Sequence, residues 1–517
     1  MKNRMPLQVI SILLILILAG CAPTPEKSGS MPESQQLGDI TLAMHTPTTL
    51  HPLKTKLASN VLVFDLLYDS LVYVDQALRP VPYLLESCTI SPDGMTIDCK
   101  LHDQVQWHDG AAFTATDVAH TVNTIREIGP EGIYYDRLTY IAGVDVKDML
   151  HFAIRLTKPH VTVLNLLDFP IIPCHRNDLD TTMVGTGQYK LESFTQQKGI
   201  MFVRNEDWKL SAPPVSEHIY VSFMGETADE ANMVRIGEVT AVTASLKSIG
   251  GLGIGENMKI TKYPTLEYEY IGFNMSNPLL ASYRVRYAVS YALRREKLIE
   301  AGFLGYGTPV CVPVPPSSYL YIGDEDKKQY DGEKVKSLLY EEGFGDTNGI
   351  MTRMGENGSA QELRLTLLVN EENEYRQKYA ALAAEQLSAV GMMVTVVTVP
   401  WEEYLRRLSA GEYDMYAGGC RLSQDLCYDF LWGEEATVLS GYVSEEMTAA
   451  MQALGTPRTD EGILNAYINF ENVFLRDLPI VGICFLDGAF VHTARLTGVE
   501  NLSVSKIYRN IGQWSTK

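Results

Sequence analysis

Cys88 and Cys99 flank the run Ser91-Pro92-Asp93-Gly94. If Asp93-Gly94 makes a two-residue type I′ turn, the two cysteines face each other across a hairpin, and in a non-hydrogen-bonded pair they could close a disulfide. The alternative is two thiols packing as small hydrophobes. Cys420 and Cys427 are the next pair by spacing. Other groups with reactive side chains do not assemble into a catalytic pattern. There is no Gly-x-Ser-x-Gly elbow and no His-Glu-x-x-His, and the ten histidines are scattered away from zinc-ligand spacing. A single Ser-x-x-Lys, Ser503–Lys506, lacks the companion motifs of penicillin-interactive enzymes. Gly185-Thr186-Gly187-Gln188-Tyr189-Lys190 lacks the spacing and the Ser/Thr of a phosphate loop, and the glycines of 250–255 do not join a strand to a helix. Both read as turns. These gaps weigh against an enzyme.

The eighth cysteine has a different chemistry. Lys2 and Arg4 precede an apolar run from Leu7 to Leu18, which ends in Leu18-Ala19-Gly20-Cys21. A basic start, an apolar core of about a dozen residues and small residues before a cut site read as a secretory signal. The run is short of the roughly 20 apolar residues of a membrane-spanning helix. Cys21 after Leu-Ala-Gly resembles the bacterial lipobox, whose cysteine is lipidated and becomes the first mature residue; the alternative is an ordinary signal peptide with an incidental cysteine. Residues 1–20 are thus expected to leave, and 21–37, rich in Pro, Ser and Glu, to form a flexible tether reaching on the order of 20 Å. Lipidation leaves seven cysteines, so at least one thiol stays free or pairs between chains.

The elements that must carry these residues fill more than one core. At 517 residues the chain exceeds what a single core serves, so two or three domains are expected. The net charge of −20 disfavours a nucleic-acid or anionic-lipid face, since both need clustered Lys and Arg. A strand is expected at Ile40–Met44, a helix over Asn60–Tyr73, a hairpin over 86–101 and a helix from Thr114 to Arg126. Helix-then-strand units follow: Tyr283–Ala301 closing on Gly302; a helix capped by Asp331 and closed by Gly343; Glu374–Val390 before a strand Met392–Val399; and Trp401–Ala410 before a strand Tyr413–Ala417. The alternation predicts α/β layers with parallel pairing.

An ordered series of short segments carries a resemblance. Leu78-Arg79-Pro80-Val81-Pro82-Tyr83 leads to Ser91-Pro92-Asp93-Gly94, Trp107-His108-Asp109-Gly110 and Thr114-Ala115-Thr116-Asp117-Val118. Then come Gly185–Lys190, Gly272-Phe273-Asn274, the run Arg284–Ala292 with Arg295-Glu296, Gly305-Tyr306-Gly307-Thr308-Pro309 and Val314-Pro315-Pro316. Their order and spacing resemble the family 5 extracytoplasmic solute-binding proteins of ABC importers, the oligopeptide- and dipeptide-binding group, over residues 38–517.

The resemblance implies an α/β, bilobal, periplasmic-binding-protein-like (type II) fold with an extra subdomain in the first lobe. Lobe I would comprise 38–77, 184–272 and 491–517, the extra subdomain 78–183, and lobe II 273–490. It implies a receptor that performs no covalent chemistry and needs no cofactor or metal. That receptor would be an exported monomer held by lipid at the outer face of the membrane or in the periplasm, passing a ligand to an ABC permease and ATPase. A peptide is the implied ligand; a metal chelate or a modified sugar is the alternative within the class, and a secreted hydrolase or a sensor the alternative outside it. His108, Arg284 and Arg286 read as scaffold. The implied binding residues are Asn60, in a loop that borders peptide in relatives, Trp401, matching a cleft aromatic, Phe485, and the stretch with Gly419, Cys420, Arg421, Ser423 and Asp425. Relatives carry Gly-Trp, an Asp three residues on that captures the peptide ammonium, then Pro before Phe-Leu. Aligned on Phe430-Leu431, Cys420 stands at the Trp, Ser423 at the Asp and Cys427 at the Pro. A buried ammonium without a counter-charge costs several kcal/mol, so Ser423 alone does not secure one. Asp425 could substitute if the loop shifts, Arg421 could clamp a carboxylate or phosphate, or both could be plain loop residues.

Overall fold

Two long strands, Met258–Phe273 and Ile480–Thr493, pair antiparallel and tie two halves of the protein together. The computed structural model describes residues 40–251, 255–323, 329–355, 358–428, 441–456, 459–503 and 506–517. The expected leader, Cys21 and the tether lie outside the described residues, as do Phe430 and Leu431. The register of the long pair breaks between Pro264 and Tyr268, where Pro264 has no N–H to give the ladder. On one side of the break Ile480–Thr493 also pairs with Ala241–Ala244; on the other, Met258–Phe273 pairs with Met415–Arg421.

That second side extends through Arg364–Asn370 to Met393–Val399, and these last strands run parallel to each other and to Met415–Arg421. Helices Glu374–Ser388 and Trp401–Ala410 make the crossovers. A separate four-stranded sheet places Ile40–His45 parallel to His218–Met224, followed by Gly199–Arg204 and Tyr189–Thr195. A third sheet, all antiparallel, is built from Leu85–Ile90, Thr96–Leu101, His151–Leu156 and Ile141–Val146. Each sheet has its own buried apolar cluster. One gathers around Tyr268, Phe273 and Tyr416, another around Trp107, Phe152 and Phe169, a third around Tyr189, Phe490 and Trp514. Among the described residues no helix is long and apolar enough to cross a membrane.

Several elements match the sequence pattern closely. Thr114 and Asp117 form a capping box for the helix Ala115–Ile128, and Asp331 caps Gly332–Glu341 by accepting the Lys334 N–H at 2.9 Å. Two helices are shorter than expected. The first covers Ala58–Phe64 only, because the carbonyls of Leu66 and Leu67 accept from the N–H groups of Tyr189 and Gly187 (3.2 and 2.7 Å) instead of continuing the helix. Gly187 and Gly185 allow this approach: a Cβ on Gly185 would lie 1.8 Å from the Leu67 carbonyl oxygen. The second divides into Tyr283–Ala292 and Arg295–Phe303. At the break the fully buried Arg295 donates to the Ser290 carbonyl (3.2 Å), while the Arg294 N–H turns to Gln386 Oε1 (2.8 Å).

Cys88 and Cys99 do face one another in register, yet both are free thiols. Cys99 Sγ turns along its own strand, 3.6 Å from the Ile97 carbonyl, rather than across the hairpin. Burial raises both thiols above their ordinary range. Arg286 braces the second half as expected, donating to the carbonyls of Leu280, Ala281, Asp477 and Leu478. His108 closes a turn between the Gly185 N–H and the Gly187 carbonyl, each at 3.1 Å.

Candidate ligand-binding site

Because three strands of the large sheet run parallel, Asn370, Val399 and Arg421 end at one edge. Open α/β sheets bind ligands outside such carboxyl ends. Trp401 starts its helix just beyond that edge and is 45% exposed, its ring stacked on Tyr404 at 5.5 Å. Its backbone N–H donates to Glu372 Oε1 at 2.8 Å, which holds that carboxyl below the usual range. Tyr404 is fixed in turn by donating to the Ala417 carbonyl at 2.8 Å.

Gly419, Cys420 and Arg421 come last on their strand, opposite Glu269, Tyr268 and Glu267. Glu269, only 6% exposed, forms a two-pronged ion pair with Arg376, Nε to Oε2 and Nη2 to Oε1, both 2.9 Å. Burial works against the guanidinium, but this fork holds it firmly protonated. The pair lies flat over Gly419, where a Cβ would come within 2.2 Å of Arg376 Nη2 and 2.4 Å of Glu269 Oε1. Burial, with Glu269 and Glu267 close by, pushes the Cys420 thiol up to about 12. The Arg421 side chain is 69% exposed and only loosely paired with Glu267 at 3.6 Å. Phe485 is a core residue, 3% exposed, its ring tilted against Tyr268 at 5.0 Å.

Beyond Arg421 the chain turns away from the sheet and is clasped by the segment 140–165. Asp425 is 3% exposed, with Oδ2 2.9 Å from His160 Nε2 and Oδ1 accepting from the Ser423 hydroxyl. Its carbonyl accepts from Thr162 Oγ1 at 2.8 Å. Asn165 Nδ2 donates to the carbonyls of Gln424 (3.0 Å) and Leu78 (2.9 Å). Tyr140 stacks on His160 at 3.9 Å and donates its hydroxyl to Cys427 Sγ at 3.4 Å. Burial alone would raise the Asp425 carboxyl; His160, Ser423 and the Cys427 N–H outweigh it and set it below the ordinary range. In this arrangement Asp425 and Ser423 are committed to each other and to His160.

Asn60 stands apart, on the other sheet's side of the molecule. It is 1% exposed, accepts from Ser59 Oγ at 3.0 Å and leaves its buried Nδ2 without a partner among the described residues. Among the described residues no group of three His, Cys, Asp or Glu side chains has the arrangement to hold a metal ion. The edge thus unites Trp401, Gly419, Cys420 and Arg421, with Phe485 packed beneath. Sequence reasoning missed Glu269, Arg376 and His160. Glu269 had a signal: a carboxylate between Tyr268 and Tyr270, on a stretch of strand buried on both faces, requires a counter-charge. His160 had none, standing 265 residues from Asp425.

Comparison with known proteins places this geometry. The sequence profile of bacterial extracellular solute-binding proteins, family 5 (middle region), matches residues 79–431. The oligopeptide-binding protein AppA of Bacillus subtilis is 26% identical over 441 residues, 80% of either chain. Among solved structures, the murein tripeptide-binding protein MppA in its unliganded open form superposes with a TM-score of 0.81 at 18% identity, covering 93% of this chain and 98% of its own. NikZ of Campylobacter jejuni in complex with Ni(L-His) gives 0.65 at 21% identity, covering 92% and 99%. The α/β architecture is the bilobal type II fold of these binding proteins.

Proposed function

The chain belongs to the bacterial extracellular solute-binding proteins of family 5, and from that premise we propose that it is the lipid-anchored capture component of an ABC importer, taking up peptides of a few residues. The observation that carries this reading is the carboxyl edge with Trp401, Gly419, Cys420 and Arg421, backed by the rigid Glu269–Arg376 pair. It lies beside the two strands that join the halves of the molecule. We take 38–77, 184–272 and 491–517 as lobe I, 78–183 as its extra subdomain and 273–490 as lobe II. Closure of the lobes over a ligand is then a population shift decided by ligand contacts. Lipid on Cys21 and the tether 21–37 would keep the capture body beside its permease. The AppA relative, an oligopeptide-binding protein, supports the peptide assignment.

One observation favours a second reading within transport. The position where relatives hold the ammonium is Ser423, and Asp425 beside it is engaged by His160. A ligand without a free ammonium, such as a chelate or a modified sugar, suits that better; NikZ was solved with Ni(L-His). Native mass spectrometry of the full-length chain in detergent, with thermal shifts against a tripeptide library, decides between them. A co-purified peptide mass and a raised Tm with library peptides are expected. A non-peptide mass with no shift from any peptide overturns the peptide assignment.

A further inference from the structure

The clasp between the loop 424–428 and the segment 140–162 encloses a cavity of about 550 Å³, within the range of about 300–1,000 Å³ seen for small-molecule sites. Its apolar walls are Tyr140, Leu426, Tyr428, Met451, Leu454 and Tyr467, and the His160–Asp425 pair with Thr448 and Gln452 forms its polar side. Tyr140 is held by its stack on His160, and Tyr467 by donating to the Leu426 carbonyl at 3.3 Å, so two aromatic walls are fixed before any ligand arrives. The far wall is the end of the helix Glu445–Leu454, which closes on Pro159 at Gly455. Lys158 is at the rim. Its ammonium stands 5.2 Å from the Tyr140 ring centre and makes no ion pair with any described carboxylate. In a chain of net charge −20, a cation with no carboxylate partner among the described residues, beside an aromatic cavity, is a specific arrangement.

We propose that this cavity receives the hydrophobic, carboxylate-bearing end of the ligand, an aromatic or branched aliphatic group against Tyr140, Tyr428, Tyr467 and Met451 with its carboxylate beside Lys158 Nζ. The inference rests on the solute-capture reading and narrows its ligand class. The same chemistry is offered by the C-terminal residue of a peptide and by a free amphiphilic acid. The apolar walls supply affinity through area removed from water. The ammonium supplies the preference for an acid over its amide, a partly exposed ion pair being worth about threefold to fivefold.

Calorimetric titration of the full-length chain in detergent tests it, with N-acetyl-L-phenylalanine, its amide, and the peptides Ala-Ala-Phe and Ala-Ala-Gly as probes. The acid is expected to bind about threefold to fivefold more tightly than the amide. Lys158→Met should erase that difference with no change in Tm. Met451→Trp should fill the cavity and weaken N-acetyl-L-phenylalanine and Ala-Ala-Phe at least about tenfold while sparing Ala-Ala-Gly. Equal binding of acid and amide by the unaltered chain, or unchanged Phe-probe affinity in Met451→Trp, overturns the inference. If the peptides bind but ignore both substitutions, solute capture stands and the cavity assignment falls. If the acetylated amino acid follows the pattern and no peptide binds, the cavity assignment stands, its occupant is a free amphiphilic acid, and the peptide assignment falls.

Discussion

Two ion pairs border the candidate site, and they are built in opposite ways. Glu269 and Arg376 belong to one packed layer, a strand and the helix above it, and meet in a two-pronged fork that uses both carboxylate oxygens. His160 and Asp425 join segments from different sheets through one contact of 2.9 Å, helped by Ser423 and Thr162. The first fixes the wall against which a ligand would be held. The second fastens a loop to its neighbour and closes one side of a cavity. The first pair sits within the packing of a helix on its sheet, whereas the second bridges segments that belong to different sheets.

Breaking the first pair should therefore cost most. Arg376→Met leaves Glu269 buried without its counter-charge, and a loss of about 3–5 kcal/mol is expected. Replacing Glu269 by Leu in the same chain should restore most of it, since two apolar groups leave no unpaired charge. Urea unfolding of the single and double variants measures both. A double variant as unstable as Arg376→Met would mean that the pair's weight lies in packing, not charge. Gly419→Ala comes next: its Cβ meets both members of the fork, and about 1–3 kcal/mol is expected from displacing them. In the background of the apolar double variant the alanine should cost clearly less, which shows whether the glycine is there for the ion pair.

The second pair should yield to pH. Asp425 has its carboxyl held below the ordinary range in the folded chain, so the unfolded state takes up its proton first as pH falls. Its contribution is fully present above the ordinary aspartate value of about 3.9 and disappears as pH drops through the lower folded value. Asp425→Asn should remove that acid-dependent increment and lower stability near neutrality by about 1–3 kcal/mol, because the neutral amide loses the charge that strengthens the His160 and Ser423 hydrogen bonds. Melting curves from pH 3 to pH 7, a range of about four units around the aspartate value, give the readout. Parallel losses in the unaltered and Asn chains would show that Asp425 does not carry the acid sensitivity.

The same contrast explains what could be read from the chain. Local signals were strong where one element decides the outcome: the Thr114–Asp117 box, the Asp331 cap and the Trp401–Ala410 helix lie where spacing puts them. They failed where a distant group takes a backbone partner. The helix beginning at Ala58 stops because Gly187 and Tyr189, far along the sequence, claim its next carbonyls. At the site, residues on one strand such as Gly419 to Arg421 were legible as a run. What surrounds them comes from other elements: Arg376, from a helix, pairs with Glu269 beside Gly419, and His160, from another sheet's connection, holds Asp425 further along. Cys88 and Cys99 fall in the expected register, but through a different turn, in which the Gly94 N–H bonds the Ser91 carbonyl and Asp93 lacks the positive φ of a type I′ turn; the direction of the Cys99 thiol was not readable either. It depends on side-chain rotation, which spacing does not encode.

Trp401 is the smallest test in stability and separates scaffold from binding surface. Its ring is 45% exposed and leans on Tyr404, which keeps its own hydrogen bond to Ala417 without help from the tryptophan. Trp401→Ala should therefore shift unfolding by no more than about 0.5–1 kcal/mol, near the range for surface positions plus one lost stacking contact. If the carboxyl edge receives ligand, the same substitution should weaken binding of any co-purified solute several-fold while the fold holds. A tryptophan that only packed would do the reverse, costing stability and sparing affinity. The ratio of the two effects, measured on one variant by urea unfolding and calorimetry, shows whether this edge is a wall of the site or only the end of a sheet.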